Sequence, residues 1–229
     1  MADSIERTLV SPLTEAAHKI KFPDHWERYE FASKYVRGKQ VLDVACGPGY
    51  GTSLLSDVSG VKAIGIDVDP TTITESSKNY GHKASFLLAD GYNWRIESQS
   101  IDIIVSLETF EHLDNPDAFM KEAYRVLKTE GMVIMSTPIN ETDSRFSPTN
   151  PFHIREYSWV EFGQYFSKYF TIQERFSQIS KTAAISQAIK TNRVSFIKRL
   201  VPKIVRQALV DLLNNAGMKK GRFEIGFKE

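Results

Sequence analysis

The sequence contains a single cysteine, Cys46, and no long apolar run. One cysteine excludes an internal disulfide framework and is typical of a reducing compartment, so we expect a cytoplasmic protein. No run approaches the roughly 20 apolar residues that a membrane-spanning helix needs. The N-terminus lacks the basic and apolar regions of a signal peptide. An excess of one charge sign is also missing, because the formal net charge is +1 over 229 residues.

The small net charge hides an uneven distribution along the chain. Residues 181–229 hold eleven Lys/Arg and three Asp/Glu, a net charge of +8, which leaves the first 180 residues at −7. Segment 195–213 spaces apolar and basic residues as an amphipathic helix does. Such a helix could contact an anionic membrane at its inner face, form a homodimer or lid element, or pack on the domain with a solvated basic face. No nucleic-acid partner is expected, because the rest of the chain is acidic and has no recognition motif.

Strand-like and helix-like segments alternate from about residue 25 to about residue 175. The pattern predicts strands at Gln40–Val44, Lys62–Asp67, Ser85–Ala89, Ile101–Leu107, Gly131–Thr137 and Phe170–Phe176, and helices at Tyr50–Ser56, Thr71–Asn79 and Pro116–Leu127. Such alternation favours a Rossmann-like α/β fold with a seven-stranded, mostly parallel sheet and helices on both faces. We assign residues 1–180 to this domain, with helices at its N-terminus. Residues 181–229 are expected to form a helical basic extension, in which Arg222–Phe227 is a last edge strand.

Three glycines follow the first predicted strand, in V-L-D-V-A-C-G-P-G-Y-G at 41–51. Glycine permits positive φ and close approach of a ligand to the backbone. The turn would lead into a helix whose N-terminal amides face that ligand. The dinucleotide fingerprint places its third glycine one residue later, which disfavours an NAD-dependent oxidoreductase. The turn therefore predicts a site for another nucleotide-like ligand, with Cys46 as a small packed residue rather than a catalytic thiol.

Acidic and histidine side chains end the next predicted strands. Asp67 follows the glycine turn by about 20 residues, where a carboxylate can accept hydrogen bonds from ribose hydroxyls. Asp90, followed by Gly91, could accept a hydrogen bond from an adenine amino group. The fourth strand leads into E-T-F-E-H, which would place Glu108, Glu111 and His112 at the same rim. The imidazole of His112 is a candidate general base.

These segments together resemble the class I S-adenosylmethionine-dependent methyltransferases. The similar pieces are V-L-D-V-A-C-G-P-G-Y-G, I-G-I-D, L-L-A-D-G, I-D-I-I-V-S-L-E-T-F-E-H-L and A-Y-R-V-L-K-T-E-G-M-V-I-M-S-T-P. The resemblance covers about residues 25–180 and implies an enzyme with S-adenosyl-L-methionine as its cofactor. Glycine backbone would contact the methionine part, and carboxylates would orient the turn and hold ribose and adenine. The implied cofactor-binding residues are Asp43, Ala45, Gly47, Gly49, Asp67, Val68, Asp90, Gly91 and Leu107.

Two further segments resemble bacterial methyltransferases of polysaccharide and glycolipid gene clusters. The segment H-W-E-R-Y-E-F-A at 25–32 implies that Arg28 and Tyr29 reach the cofactor carboxylate, which suits guanidinium geometry. The segment N-P-F-H-I-R-E-Y at 150–157 follows the fifth strand, where this fold usually builds its acceptor site. Alternatively, that loop packs through its aromatic side chains. The implied acceptor-binding residues are Glu108, His112, Asn150, His153, Arg155 and Tyr157.

The resemblance implies methylation of an oxygen on a sugar or glycan-type acceptor. His153 and His112 are the base candidates for that reaction. The alternatives are a methyltransferase acting on a quinone or other small metabolite, and a non-catalytic protein that binds S-adenosylmethionine. No metal is expected, because no carboxylate and histidine set has the sequence spacing of a metal site.

Overall fold

The computed structural model describes residues 19–20, 22–140, 150–178 and 221–228, with backbone alone for 221–227. The helices are α1 (Pro23–Ala32), α2 (Tyr50–Ser56), α3 (Pro70–Tyr80), α4 (Pro116–Val126) and α5 (Trp159–Ser167), with a 3-10 turn at Phe110–His112. The strands are β1 (Gln40–Val44), β2 (Lys62–Asp67), β3 (Ser85–Leu88), β4 (Ile101–Leu107), β5 (Leu127–Pro138), β6 (Thr171–Ser177) and β7 (Gly221–Phe227). Among the described helices, none has both the length and the apolar character of a bilayer-crossing segment.

The strands form one sheet in the order β3-β2-β1-β4-β5-β7-β6. The five strands from β3 to β5 pair in parallel, which confirms the predicted Rossmann-like α/β fold. The chain moves outward from β1 to β3 and then returns to β4 on the other side of β1. Open parallel sheets bind ligands beyond the carboxyl ends of their strands at such a reversal. The glycine turn follows β1 and therefore lies at the ligand-binding position.

The C-terminal strand differs from its prediction. β7 is antiparallel to both β5 and β6, so it lies inside the sheet and β6 is the edge strand. The alternating residues of 222–227 predict a strand but carry no information about which strands it joins. The remainder of the predicted basic extension, including the helix at 195–213, lies outside the described residues.

Local signals account for where the helices begin. Asn115 starts α4, because its side chain accepts a hydrogen bond from the Ala118 amide. Asp69 caps α3 in the same way. α5 was not predicted from the pattern of apolar residues, yet it begins with a capping box in which Ser158 and Glu161 bond each other's backbone amides.

Two apolar clusters cover the two faces of the sheet. Consecutive residues of a strand point to opposite faces, and Val41 and Leu42 of β1 accordingly belong to different clusters. One cluster packs α4 and α5 against the sheet through rings such as Phe119 and Phe162. The other packs α1 to α3 through residues such as Trp26 and Leu55. Both layers hold the carboxyl ends of β1 and β4 in fixed positions.

Candidate active site

Two adjoining cavities lie at the carboxyl ends of the parallel strands. The α1 cavity, about 310 Å³, lies between α1, the glycine turn and the segment around His153. The β3 cavity, about 410 Å³, lies beyond the ends of β2 and β3. Ala45, Glu108 and His112 line both cavities. The site is therefore one continuous groove whose two halves meet at the ends of β1 and β4.

The backbone is strained where the two halves meet. Ala45 has φ = 59° and Glu108 has φ = 54°, both in the left-handed region. Residues with a Cβ rarely adopt this conformation, and such strain concentrates at functional sites. The sequence predicts the position of both residues but gives no sign of this strain.

The glycine turn presents open backbone to the α1 cavity. Gly47 has φ = 52°, and a Cβ built on it would meet no atom within 4 Å. Its amide donates a hydrogen bond to Asp67 Oδ2 at 2.9 Å, which ties the end of β2 to the turn. Gly49 is constrained by packing instead, because a Cβ there would lie 2.8 Å from Ser76 Cβ and 2.9 Å from the Phe86 ring. Gly47 therefore leaves the backbone open to the cavity, and Gly49 permits the close contact between α2 and α3.

A buried carboxyl group supports the turn from below. Asp43 accepts hydrogen bonds from the Thr52 hydroxyl at 2.6 Å and from the Tyr29 hydroxyl at 3.2 Å. Burial raises the pKa of Asp43 to about 7. The hydroxyl of Tyr29 thus faces Asp43, and its ring fills the space where a Cβ of Gly51 would be. Tyr29 thus lines the α1 cavity and donates its hydroxyl hydrogen bond to Asp43, and its expected contact with the cofactor carboxylate stays a prediction.

Arg28 lies in the wall of the α1 cavity with 6% of its surface exposed. One guanidinium nitrogen is 3.3 Å from Glu108 Oε2. The Nε atom is buried and has no hydrogen-bond partner among the described residues. A buried donor without a partner costs about 1–3 kcal/mol. A carboxylate entering the cavity would satisfy it with the planar geometry that guanidinium prefers.

The β3 cavity collects the residues that the sequence assigns to ribose and adenine. Asp67, Val68, Asp90 and Gly91 all line it. The apolar side chain of Val68 is 69% exposed, which suits contact with a flat ring. The Asp90 carboxylate accepts a hydrogen bond from the Tyr92 amide at 2.7 Å, which fixes its orientation.

Glu111, His112 and His153 line the α1 cavity together. The two imidazole rings are perpendicular, with centroids 5.1 Å apart. Glu111 Oε1 lies 3.9 Å from His112 Nε2, and Oε2 accepts a hydrogen bond from the Thr137 hydroxyl at 2.9 Å. Burial and the neighbouring Glu108 raise the pKa of Glu111 well above its usual range. The structure thus assembles a carboxylate and histidine set that sequence spacing did not show.

Each histidine is oriented through Nδ1. His112 Nδ1 lies 2.9 Å from the Phe152 carbonyl oxygen, which only accepts, so this nitrogen carries the proton. His153 Nδ1 lies 3.0 Å from Glu156 Oε1. The side chains of His153 and Glu156 are each 3% exposed. Because Nδ1 is engaged in each ring, chemistry in the cavity would use Nε2.

Side-chain amides complete this arrangement. Asn140 Nδ2 donates to Glu156 Oε2 at 2.8 Å and so fixes the carboxylate that orients His153. Asn150 Nδ2 lies 2.9 Å from His153 Nε2. Asn150 Oδ1 accepts from the Phe152 amide at 3.1 Å, which sets the orientation of the Asn150 side chain. Asn140 and Glu156 were not predicted, although the three-residue spacing of His153 and Glu156 was a usable signal.

Two expected acceptor-binding residues line neither cavity. The ring of Tyr157 is 1% exposed and packs 5.0 Å from Phe110. Arg155 pairs with Glu161 at 3.0 Å and stacks on Tyr157 at 5.0 Å. These contacts hold the segment to the domain, because burying an aromatic ring is favourable. The structure therefore supports packing of this loop through Tyr157, and an acceptor-binding role of Arg155 and Tyr157 stays a prediction.

Cys46 also lines the α1 cavity. Burial raises the pKa of its thiol well above the usual range. A protonated thiol is a weak nucleophile, and the residue therefore contributes packing beneath the turn.

The chain is similar to known methyltransferases. Residues 42–135 match the family described as a methyltransferase domain. A Mycolicibacterium smegmatis protein named as an S-adenosylmethionine-dependent methyltransferase is 33% identical over 149 residues, which are 61% of this chain and 54% of that protein. The chloroplastic tocopherol O-methyltransferase of Arabidopsis thaliana is 33% identical over 104 residues, which are 43% of this chain and 30% of that protein. The matches to these relatives thus span about half of their length or less.

A solved structure shares the whole fold. A chain in the complex of the Haloferax volcanii Trm112 methyltransferase activator with a methyltransferase has a TM-score of 0.70, 18% identity, and coverage of 100% of this chain and 99% of that chain. At this identity the likeness shows the fold alone. The sequence matches show that residues 42–135 resemble a methyltransferase domain, and they support the expectation of an enzyme that uses S-adenosylmethionine.

The residues at the groove fit this cofactor. The buried Nε of Arg28 suits the methionine carboxylate, and the open backbone at Gly47 admits the methionine chain. The carboxylate of Asp67 and the exposed side chain of Val68 suit ribose and adenine. The sulfonium would supply the electrophilic methyl group at the junction of the two cavities.

Proposed function

We propose that the protein transfers a methyl group from S-adenosylmethionine to an oxygen atom of a sugar or glycan-type acceptor. The observation that carries the proposal is the junction of the two cavities at Ala45 and Glu108. One half has the groups that suit a nucleoside. The other half has Arg28 for a carboxylate and also contains the polar histidine cluster. A methyl group held at the junction would face that cluster.

The cofactor would lie along the groove from Arg28 to Asp90. Arg28 would pair with the methionine carboxylate, and Asp67 would accept from the ribose hydroxyls. Val68, Asp90 and Gly91 would border the adenine. The remaining cofactor residues would shape the turn or line the junction, namely Asp43, Ala45, Gly47, Gly49 and Leu107.

The acceptor would enter the α1 cavity beside the histidine cluster. Holding the acceptor oxygen in line with the methyl group supplies much of the rate in such a transfer. A hydroxyl acceptor must also lose its proton. His153 and His112 are our candidates for activating the hydroxyl through Nε2, which at His153 requires that the Asn150 amide turn away. Asn150 and Glu108 supply hydrogen-bonding groups in the same cavity that suit a polyhydroxylated acceptor.

A quinone-type or other small metabolite is the second candidate acceptor. The similarity to a tocopherol O-methyltransferase over 104 residues favours it. The exposed side chains of Phe152 and Ile154, 40% and 57% exposed, provide apolar surface beside the histidine segment. A third reading, a non-catalytic protein that binds S-adenosylmethionine, would leave the histidine cluster without a chemical role.

Transfer of labelled methyl groups separates these three readings. The full chain is incubated with S-adenosylmethionine labelled in the methyl group and with two acceptor panels, nucleotide sugars with oligosaccharides, and quinols with phenols. We expect label in a member of the first panel and loss of that label in the His153→Ala variant. Label in the second panel alone would replace the sugar by a quinone-type acceptor. Cofactor binding without transfer to either panel would contradict the proposed function.

We separately propose that the basic segment 181–229 contacts a membrane. Its net charge of +8 and its amphipathic pattern at 195–213 suit contact with an anionic membrane at the cytoplasmic face. Flotation of the protein with vesicles that contain anionic lipid, compared with zwitterionic vesicles, tests this contact. Equal flotation with both kinds of vesicle would favour a homodimer or packing role, which chromatography coupled to light scattering would separate.

A further inference from the structure

We propose that Glu111, His112 and His153 bind a first-row divalent cation such as Zn²⁺. Each residue offers one ligand atom, and the three atoms lie within 4.8 Å of one another. Two imidazoles and one carboxylate form the donor set of many catalytic zinc and non-haem iron sites. Glu111 and His112 follow β4, whereas His153 comes from a segment about 40 residues further along, so the fold itself creates the set.

The atoms behind the histidines are arranged as in metal sites. A metal-binding histidine almost always donates its other ring N–H to a carbonyl or carboxylate, which fixes the tautomer and the ring orientation. His112 Nδ1 meets the Phe152 carbonyl oxygen at 2.9 Å, and His153 Nδ1 meets Glu156 Oε1 at 3.0 Å. Both rings therefore have an orienting partner on Nδ1, and Nε2 would be the metal-binding atom, in His153 in place of its contact with the Asn150 amide.

Burial and charge also favour a cation here. The Glu111 side chain is 1% exposed, and the Glu108 carboxylate lies nearby. Burying a carboxylate is unfavourable unless a positive group compensates it. Arg28 lies beside Glu108, at 3.3 Å. A cation held by Glu111 would compensate the second carboxylate of the pair.

Binding requires a small closure of the cluster. Ligands of tetrahedral zinc at about 2.0–2.2 Å from the metal lie about 3.3 Å apart, so the 4.8 Å spread must contract. The Asn150 amide, 2.9 Å from His153 Nε2, must also turn aside. Both changes are side-chain rotations, and the surrounding backbone is held by hydrogen bonds from the Ile154 and Arg155 amides to the Glu111 carbonyl oxygen.

A role of the cation in methyl transfer rests on the proposed function, whereas the binding of the cation does not. A divalent cation lowers the pKa of an oxygen that it binds. In the α1 cavity it would acidify an acceptor hydroxyl, whose proton would pass to solvent water while the oxygen takes the methyl group and S-adenosylhomocysteine leaves. The two histidines would then act by holding the cation, in place of accepting the proton themselves. Cation binding itself is measured without cofactor or acceptor.

The test uses the full chain after removal of metal with a chelator. Titration with Zn²⁺ should show one tight site per chain. Titration with Co²⁺ should give the visible absorption that is typical of a site with imidazole and carboxylate ligands. Mg²⁺ should bind far more weakly, because it prefers oxygen ligands. The variants Glu111→Gln, His112→Ala and His153→Ala should each lose at least tenfold in Zn²⁺ affinity. His25→Ala is the matched control, since His25 lines the same cavity outside the three-residue set, and it should retain wild-type affinity.

Three results would overturn the inference. They are the absence of a stoichiometric Zn²⁺ or Co²⁺ site in the wild-type chain, unchanged affinity in all three cluster variants, and an equal loss in His25→Ala. Thermal melting of each variant without metal identifies loss of folding, and the wild-type Co²⁺ spectrum needs no variant at all. Metal binding without methyl transfer would count against the proposed function alone, and methyl transfer without metal binding would count against this inference alone.

Discussion

The carboxylate of Asp67 accepts a hydrogen bond from the Gly47 amide at 2.9 Å. This contact joins the end of β2 to the turn that follows β1, between the two cavities. The group that we propose for the ribose hydroxyls therefore also holds the turn that faces the methionine chain. Cofactor binding and the shape of the turn are consequently linked through one side chain.

Replacing Asp67 tests this link. Asp67→Ala removes hydrogen bonds to a charged group, each worth about 1.5–3 kcal/mol, so we expect S-adenosylhomocysteine affinity to fall at least tenfold by calorimetry. Asp57→Ala is the control, because Asp57 is an exposed residue paired with Lys83. Equal affinities of the two variants would exclude Asp67 from the cofactor site.

Replacing Arg28 should weaken the binding of the methionine end of the cofactor and not that of the adenosine end. Arg28→Ala removes the proposed partner of the methionine carboxylate, and we expect roughly a tenfold to hundredfold loss of S-adenosylmethionine affinity with little change in affinity for adenosine. Arg37→Ala, at an exposed position, should behave as wild type. A parallel loss for adenosine would mean that Arg28 supports the fold rather than the carboxylate.

The two glycines of the turn should separate stability from binding. Gly49→Ala places a Cβ against Ser76 and Phe86 at φ = 80°, so we expect a loss of about 2–4 kcal/mol in the free energy of unfolding. Gly47→Ala meets open space at φ = 52°, so its loss should be only about 1–2 kcal/mol. The Gly47 variant should nevertheless bind cofactor more weakly, because its methyl group enters the α1 cavity. Urea unfolding and calorimetry on both variants check this, and the reverse order of stabilities would contradict it.

The histidine cluster should control turnover rather than cofactor binding. His153→Ala should lower kcat by about 10²–10⁴-fold and leave the cofactor Kd within a factor of about three. Glu156→Gln keeps the shape but weakens the orientation of His153, so we expect a smaller fall in kcat. Unchanged turnover in both variants would remove His153 from the reaction.

Asp43 should make stability depend on pH. Its pKa is about 7 in the folded protein, against about 3.9 in an unfolded chain, so the folded state binds more protons in that range. The stability contributed by protonated Asp43 is therefore present below about pH 4 and is lost as the pH rises to about 7. Urea unfolding at pH 5 and pH 8 measures this loss. From pH 5 to pH 8, the free energy of unfolding of the wild type should fall relative to that of Asp43→Asn. A constant difference between the two proteins would contradict the raised pKa.

Local sequence signals predict part of the architecture. β1 and β2 match their predicted bounds. Each strand is mostly apolar and ends immediately before a turn, at Val44 and at Asp67. α5 was missed although both its signals were present in the sequence: the apolar spacing of Trp159, Phe162 and Phe166 and the capping box of Ser158 and Glu161. Insertion of β7 between β5 and β6 depends on pairing across distant parts of the chain, which no local pattern encodes.

For the candidate site too, the sequence predicts the position of some residues and not of others. The residues assigned to ribose and adenine follow strand ends of one sheet, so topology alone brings Asp67 and Asp90 to one cavity. The approach of His153 to Glu111 depends on how the segment after β5 folds back, and Tyr157 packs into the core for the same reason. Spacing within the sequence could not predict the approach of His153 to Glu111, whereas packing of the loop through its aromatic side chains was one of the two alternatives that the sequence left open.

Calorimetric titration of the full chain with S-adenosylmethionine tests the central claim most directly. The two adjoining cavities predict a single site per chain with a dissociation constant in the micromolar range that is common for enzyme ligands. They also predict that prior saturation with S-adenosylhomocysteine abolishes the heat and that NAD does not. The absence of binding heat, or competition by NAD in place of S-adenosylhomocysteine, would contradict the account.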